Sequence, residues 1–167
     1  MNCVIRNIKL EDCEIISKAF EAQNWNKPTS QYLKYLEFHN SGERDVIIAN
    51  IENQFAGYLT INWNSHYKSF NEKNIPEIVD FNVLEKFQRK GIGTLLMDEA
   101  EKRIKQKSDF AGIGYNITQD FGKAQILYAR RNYIPDGNGA IYNSKPINYG
   151  DKITIDYGLV MHLIKKL

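Results

Sequence analysis

The chain has 167 residues, enough for one domain with a sizeable core, and a single domain over 1–167 is expected. Charged residues make up 25% and the formal net charge is +2, a balance that gives no reason to expect nucleic acid as a partner. Cys3 and Cys13 lack metal-ligand spacing and are too few for a disulfide scaffold, so they read as reduced thiols and no metal site is expected. Met1–Leu10 has no long apolar core and no run approaches a membrane span, which predicts a cytoplasmic protein without membrane partners.

In chain order, Cys3–Ile8 is predicted as a strand. Leu10–Ala22 carries Ile15, Ile16, Ala19 and Phe20 at helical spacing. Pro28 breaks the chain, and Thr29 or Ser30 caps a second helix that ends near Phe38. Asp45–Asn50 and Phe55–Trp63 read as strands of a hairpin turned by Glu52-Asn53-Gln54. Asn64–Asn74 is a polar loop with His66, Tyr67 and Phe70 embedded in it, either a substrate lid or a packed surface loop. Ile75–Leu84 is the next strand. Ile92, Leu95, Leu96, Ala100 and Ile104 then recur at helical spacing, with Asp98, Glu101, Lys102 and Lys105 opposite. Phe110–Ile117 is a strand whose Gly112 and Gly114 imply that something approaches it closely. Thr118 or Asp120 caps a helix presenting Ala124, Leu127, Tyr128 and Arg131 on one side, and Asn132 suits the left-handed position that ends it. A short strand near Ala140–Tyr142 and a last one over Asp156–Ile164 complete a mixed α/β sheet covered by helices.

The segment Gln88-Arg89-Lys90-Gly91-Ile92-Gly93-Thr94 sits where a strand turns into a helix. The first amides of a helix lack internal partners, and the helix dipole is positive there. Gly91 and Gly93 let a large anion come close to the backbone, and Arg89 and Lys90 add charge. The physical reading is a cradle for a phosphate or pyrophosphate. The two glycines alone would equally suit a plain turn before an amphipathic helix. A Walker loop is excluded, because no Gly-Lys-Ser/Thr is present. A dinucleotide fingerprint fails as well, since Leu96 stands where its third glycine would be.

With that placement the segment resembles the acetyl-CoA pyrophosphate motif, Gln/Arg-x-x-Gly-x-Gly/Ala, of the GCN5-related N-acetyltransferases. A second block, Ala124-Gln125-Ile126-Leu127-Tyr128-Ala129-Arg130-Arg131-Asn132-Tyr133, is similar to the family's Ala-x-x-Leu-Tyr-x-x-x-Gly-Phe. Both come in the family's order and at about its separation. The resemblance implies a mixed, mostly antiparallel sheet of seven strands with about four helices, in which the fourth and fifth strands splay apart. Here that pair would be Ile75–Leu84 and Phe110–Ile117. It implies acetyl-CoA as cosubstrate, with its pantetheine arm in the gap, contacting Phe81, Asn82, Val83 and Leu84 mainly through main chain. Trp25, Tyr32 and Tyr35 would border the acceptor site. Two positions depart from the pattern: Phe121 replaces a common helix-start asparagine, and Asn132 replaces the glycine. The chain from Tyr133 onward is similar to a subgroup of small bacterial acetyltransferases.

The implied chemistry is direct attack of an amine on the acetyl thioester. An alkyl amine has a pKa near ~10.4 and must lose a proton first. Glu77, fourteen positions before Gly91, stands where some family members carry a general base. Asp80 lies on the same strand, and strict alternation would put it on the opposite face. Tyr128 matches the family tyrosine that meets the departing sulfur. A thiol near ~8.5 and a phenol near ~10 make full proton transfer uphill by about 2 kcal/mol, so Tyr128 would act chiefly by hydrogen-bonding the thiolate. The oxyanion donor would be an amide near Val83 or Leu84. A primary amine of a small molecule is the expected acceptor. A peptide or protein amine, or a CoA-binding regulatory module without catalysis, are the alternatives. The family commonly dimerises, so a homodimer is one expected assembly.

Overall fold

Strands that are apolar on both faces place a sheet at the centre of the molecule. The structure is a computed structural model that describes residues 2–167. In chain order the elements are β1 (Cys3–Asn7), α1 (Leu10–Glu21), α2 (Thr29–Ser41), β2 (Arg44–Ile51), β3 (Gln54–Asn62), α3 (Lys68–Asn71), β4 (Glu77–Val83), α4 (Ile92–Lys105), β5 (Phe110–Asn116), α5 (Gly122–Arg130), β6 (Ile134–Tyr142), β7 (Lys145–Pro146) and β8 (Leu159–Lys166). The sheet runs β1-β2-β3-β4-β5-β8-β6-β7. Every pairing is antiparallel except β4–β5.

Alternation along β2 and β3 feeds two cores. Ile47, Ala49, Leu59 and Ile61 pack with α4 and α5 on one face. Val46, Ile48, Phe55 and Tyr58 pack with α1 and α2 on the other. Helix α4 buries Ile92, Leu96, Met97, Ala100 and Ile104, a stripe at helical spacing that binds it to the first core. Leu95, expected inside, is 41% exposed, and Met97 takes the inward position. On α1 the same exchange leaves Ile15 outside, while Asp12 turns inward. Asp12 accepts the Lys9 amide at 2.7 Å and a two-pronged contact from Arg6 at 2.7 and 2.8 Å.

Among the described residues eight strands replace the expected seven, and five helices the expected four. The additions are short: β7 has two residues and α3 has four. Strand β6 begins at Ile134, not Ala140, because Ile134 and Pro135 pair with Ile164 and Leu163 before the register slips. Strand β8 begins at Leu159, not Asp156, because Asp156 turns the chain: its carboxylate accepts the Gly158 amide and its carbonyl accepts the Asn116 side chain. Neither Thr118 nor Asp120 caps α5, whose first residue follows Phe121. Asn132 does take the left-handed conformation, at φ 64°.

The loop at 64–74 is packed. Phe70 is 1% exposed and lies against Gly112, where any Cβ would overlap its ring. The glycine in β5 therefore exists to admit an aromatic plug from the neighbouring loop. Gly112→Ala is expected to lower stability by about 1–3 kcal/mol through overpacking. Phe70→Leu in the same chain should return part of that loss, a coupling that urea unfolding of the two single variants and the double variant measures.

Candidate active site

Strands β4 and β5 touch for only two residue pairs, Glu77 with Gly112 and Ile78 with Ile113. Beyond them the strands part, as the family resemblance implies. The cause lies in β4. Thr60 pairs with Val79, but Tyr58 pairs with Asn82, so Asp80 and Phe81 form a bulge and Asp80 sits at φ 50°. A bulge bends and twists its strand, which here turns β4 away from β5.

Backbone polarity along the parted half is readable. The Leu84 amide donates to the Ala56 carbonyl at 2.9 Å, so it faces β3 and is not a free oxyanion donor. That corrects one of the two expected donors. Alternation turns the Val83 amide and carbonyl the other way, into the gap. The Gln88 side chain reaches back and donates to the Val83 carbonyl at 3.2 Å.

The anion cradle stands at the mouth of this gap. Gly91 takes φ 80° as the residue before α4, and Arg89 takes φ 60°. No side chain caps α4, so the amides of Ile92, Gly93 and Thr94 remain available to a ligand. Nothing lies within 4 Å of where a Gly91 Cβ would stand. A Cβ on Gly93 would come within 3.2 Å of the Phe81 ring and 3.7 Å of Leu127. The start of α4, the β4 bulge and α5 thus converge. Arg89 and Lys90 are exposed beside them.

Tyr128 is 5% exposed on the α4–α5 side of the sheet. Its ring packs 6.3 Å from Tyr115, in the parted half of β5, and 6.2 Å from Tyr133. Its hydroxyl hydrogen-bonds no protein group among the described residues, and burial pushes the phenol well above its usual range.

Glu77 lies on the opposite, α1–α2 side and is 7% exposed. Burial raises its pKa, although a hydrogen bond from Ser65 at 2.5 Å and the charges of His66 and Arg44 oppose this. His162 Nε2 is 3.8 Å from Glu77, stacked on Tyr67 at 3.6 Å. Burial lowers the imidazole to about 4, so at neutral pH this is not an ion pair.

Asp80 shares the face of Glu77, contrary to strict alternation, because the bulge shifts its parity. Its carboxylate accepts from Lys27 at 2.9 Å, Asn82 at 2.8 Å, Gln31 at 3.1 Å, Tyr35 at 2.9 Å and the Tyr58 hydroxyl. Tyr32, an expected pocket wall, is wholly buried core, and Trp25 stacks on Phe20. Tyr35 does line this face. Sequence reading missed Lys27, Tyr58 and Arg44, which come from separate elements and share no local motif. A groove of about 500 Å³ between α1, the β2–β3 turn and Leu84–Lys86 includes neither Glu77 nor Tyr128 in its lining.

The acetyltransferase (GNAT) family model matches residues 10–133. The chain belongs to the GNAT family. It is an acyltransferase. Solved structures agree on the fold. An N-acetyltransferase from Staphylococcus aureus Mu50 aligns over 99% of both chains at 16% identity, with a TM-score of 0.75. The PaiA N-acetyltransferase of Thermoplasma acidophilum, solved with coenzyme A, covers 100% of both chains at 15% identity and TM-score 0.70. The putative acetyltransferase YncA of Salmonella typhimurium, solved with acetyl-CoA, covers 98% of this chain and 93% of its own at 14% identity and TM-score 0.70. No curated protein sequence matches the chain. Among the described residues no helix is long and apolar enough to cross a membrane.

Asp80 offers a stability test. Burial alone would raise its pKa, but the charge of Lys27 and the hydrogen bonds from Tyr58, Lys27 and Tyr35 outweigh it and hold the carboxyl below its usual value. A depressed folded pKa means the stabilisation is present above about pH 4, the unfolded value, and is lost as pH falls through the lower folded one. Asp80→Asn is expected to cost about 3 kcal/mol at pH 7, since it leaves the Lys27 ammonium uncompensated. Urea unfolding at pH 7 and pH 3 should show a smaller pH dependence in the variant than in the parent.

Proposed function

We propose that this GNAT-family protein is an acetyl-CoA-dependent N-acetyltransferase acting on a primary amine of a small molecule. The observation that carries the reading is the parting of β4 and β5 directly above an uncapped helix start. The diphosphate of acetyl-CoA would lie on Gln88, Arg89, Lys90, Gly91, Ile92, Gly93 and Thr94, where main-chain donors and two cations meet it. The pantetheine would follow Phe81, Asn82, Val83 and Leu84. Its amides then find the groups that β5 leaves unpaired, much as an added strand would.

The thioester passes through the gap, so its two sides see different residues. On the α4–α5 side Tyr128 meets the sulfur. Its raised pKa keeps it protonated and makes it a poor proton donor, so it stabilises the thiolate by donating a hydrogen bond. On the α1–α2 side Glu77 takes the proton of the attacking ammonium, directly or through water. Its raised pKa makes it a stronger base than an exposed carboxylate. The amine forms the new C–N bond while the C–S bond breaks. CoA leaves as the thiolate, held by the Tyr128 hydroxyl, and takes up the second proton that the nitrogen releases as the amide forms, directly or through water. Placing both reactants supplies most of the acceleration, with no acyl-enzyme.

Thiol release from acetyl-CoA across a panel of primary amines tests this. Tyr128→Phe should lower kcat by roughly tenfold to a hundredfold while the thermal shift produced by acetyl-CoA stays near the parent's. Glu77→Gln should lower kcat and erase the acid limb of its pH profile, which in the parent lies above the ordinary carboxylate value of about 4.3. Release that is unchanged in both variants would remove the two residues from the chemistry.

A further inference from the structure

The charged groups on the α1–α2 face of the site are matched with one exception. Asp80 holds Lys27, and the Lys27 ammonium also packs over the rings of Phe20 and Tyr58 at 5.5 and 5.6 Å. Glu77 accepts from Ser65. Arg44, half-buried at the start of β2, has no carboxylate partner among the described residues. Arg6 has one, and Arg103 and Arg131 have two each.

Arg44 is nevertheless held in place. Nε donates to Asn62 Oδ1 at 3.1 Å and Nη1 to Thr60 Oγ1 at 3.3 Å. Its guanidinium lies 4.7 Å from the Tyr35 ring centroid and 5.8 Å from that of Phe38. Nη2 has no partner among the described residues. A fixed, half-desolvated guanidinium with a free edge is built to receive an anion, and its fork matches a carboxylate.

Its position ties it to Glu77. Register pairs Arg44 with Asn62 and Asn62 with Glu77, so the three stand in a row across β2, β3 and β4. Thr60, which Arg44 also reaches, donates to the Val79 carbonyl of β4 at 2.9 Å. The guanidinium thus lies over β3, one strand from the Glu77 carboxyl. Two strand spacings separate the Cα atoms by about 10 Å, a span that two long side chains close to the size of a small bifunctional ligand.

We propose that the acceptor carries a free carboxylate beside its amine, as a small amino acid does, and that Arg44 binds the carboxylate while Glu77 faces the amine. This rests on the acetyltransferase reading and narrows it. A peptide N-terminus, whose carboxyl is already an amide, gains nothing from Arg44.

The test compares glycine, L-leucine, L-phenylalanine and L-glutamate with their C-terminal carboxamides, which also stand in for peptide N-termini. Binding is read as the thermal shift in saturating CoA, and turnover as thiol release from acetyl-CoA. At least one acid should be preferred over its carboxamide by about tenfold in kcat/KM, carried by KM. Arg44→Gln should erase the preference, and Arg44→Lys should keep part of it. Each variant's shift with acetyl-CoA alone reports whether it is folded. Carboxamides bound and turned over as well as the acids by the parent, acids that produce no shift, or an Arg44→Gln protein that keeps the preference would each overturn the assignment. Failure of acetyl-CoA to shift the parent would instead strike the acyl-donor reading, and the acid-against-amide comparison would still decide on Arg44.

Discussion

The parting of β4 and β5 is the constraint on which the rest of the structure depends. Two rungs of parallel pairing hold the strands together at Glu77 and Ile78, and the Asp80 bulge then turns β4 aside. Opening a sheet at its centre leaves backbone groups without strand partners, each costing about 1–3 kcal/mol if it finds no other. A left-handed aspartate adds about 1–2 kcal/mol. Five donors converging on the Asp80 carboxylate offset that strain. At the paired end, Phe70 fills the space over Gly112, so the split is confined to one half of the strands.

The same split sorts the electrostatics. On one side the start of α4, with Arg89 and Lys90, presents positive potential to solvent. On the other, Asp80 lies largely buried among tyrosines from α2 and β3, and Glu77 lies buried beside Ser65 and His162. In the proposed reaction a phosphate-bearing donor and a cationic amine would therefore be drawn to opposite faces of one sheet. They can meet only through the gap. Pairing β4 and β5 along their whole length would keep both binding faces intact and leave them with nothing in common.

How much of the site was legible in the sequence depends on how local each feature is. Segment 88–94 is contiguous, and its place between a strand and an amphipathic helix fixes which groups point outward. Helix α4 was legible from its period, apart from the exchange of Leu95 for Met97. Asp80 was misplaced because one extra residue in a strand reverses the facing of the residues beyond it, and a lone aspartate gives no sign of a bulge. The alternatives for loop 64–74 were separable, because Gly112 in β5 already required a close neighbour, and Phe70 is that neighbour. Lys27, Arg44 and Tyr58 meet only through the tertiary fold, so no motif announces them. The Leu84 amide needed the β3 register, which no single strand contains.

The placement of Glu77 also bears on how a carboxylate can deprotonate an ammonium at all. In water the two groups differ by about 6 pKa units, or about 8 kcal/mol against transfer. Burial moves both in the useful direction, because a low-dielectric site disfavours the carboxylate and the ammonium alike. Coulomb attraction between them works the other way and favours the ion pair. Arg44 weakens that attraction from the ammonium's side, since a nearby cation lowers an amine's pKa, but it lowers Glu77 as well. A bound carboxylate on Arg44 would neutralise this cation and leave the Ser65 hydrogen bond and His66 as the influences opposing desolvation at Glu77. In the proposed reaction an acceptor that brings its own anion would therefore strengthen Glu77 as a base and give up the help that Arg44 lends in deprotonating the amine, whereas a plain amine would keep both effects of the guanidinium.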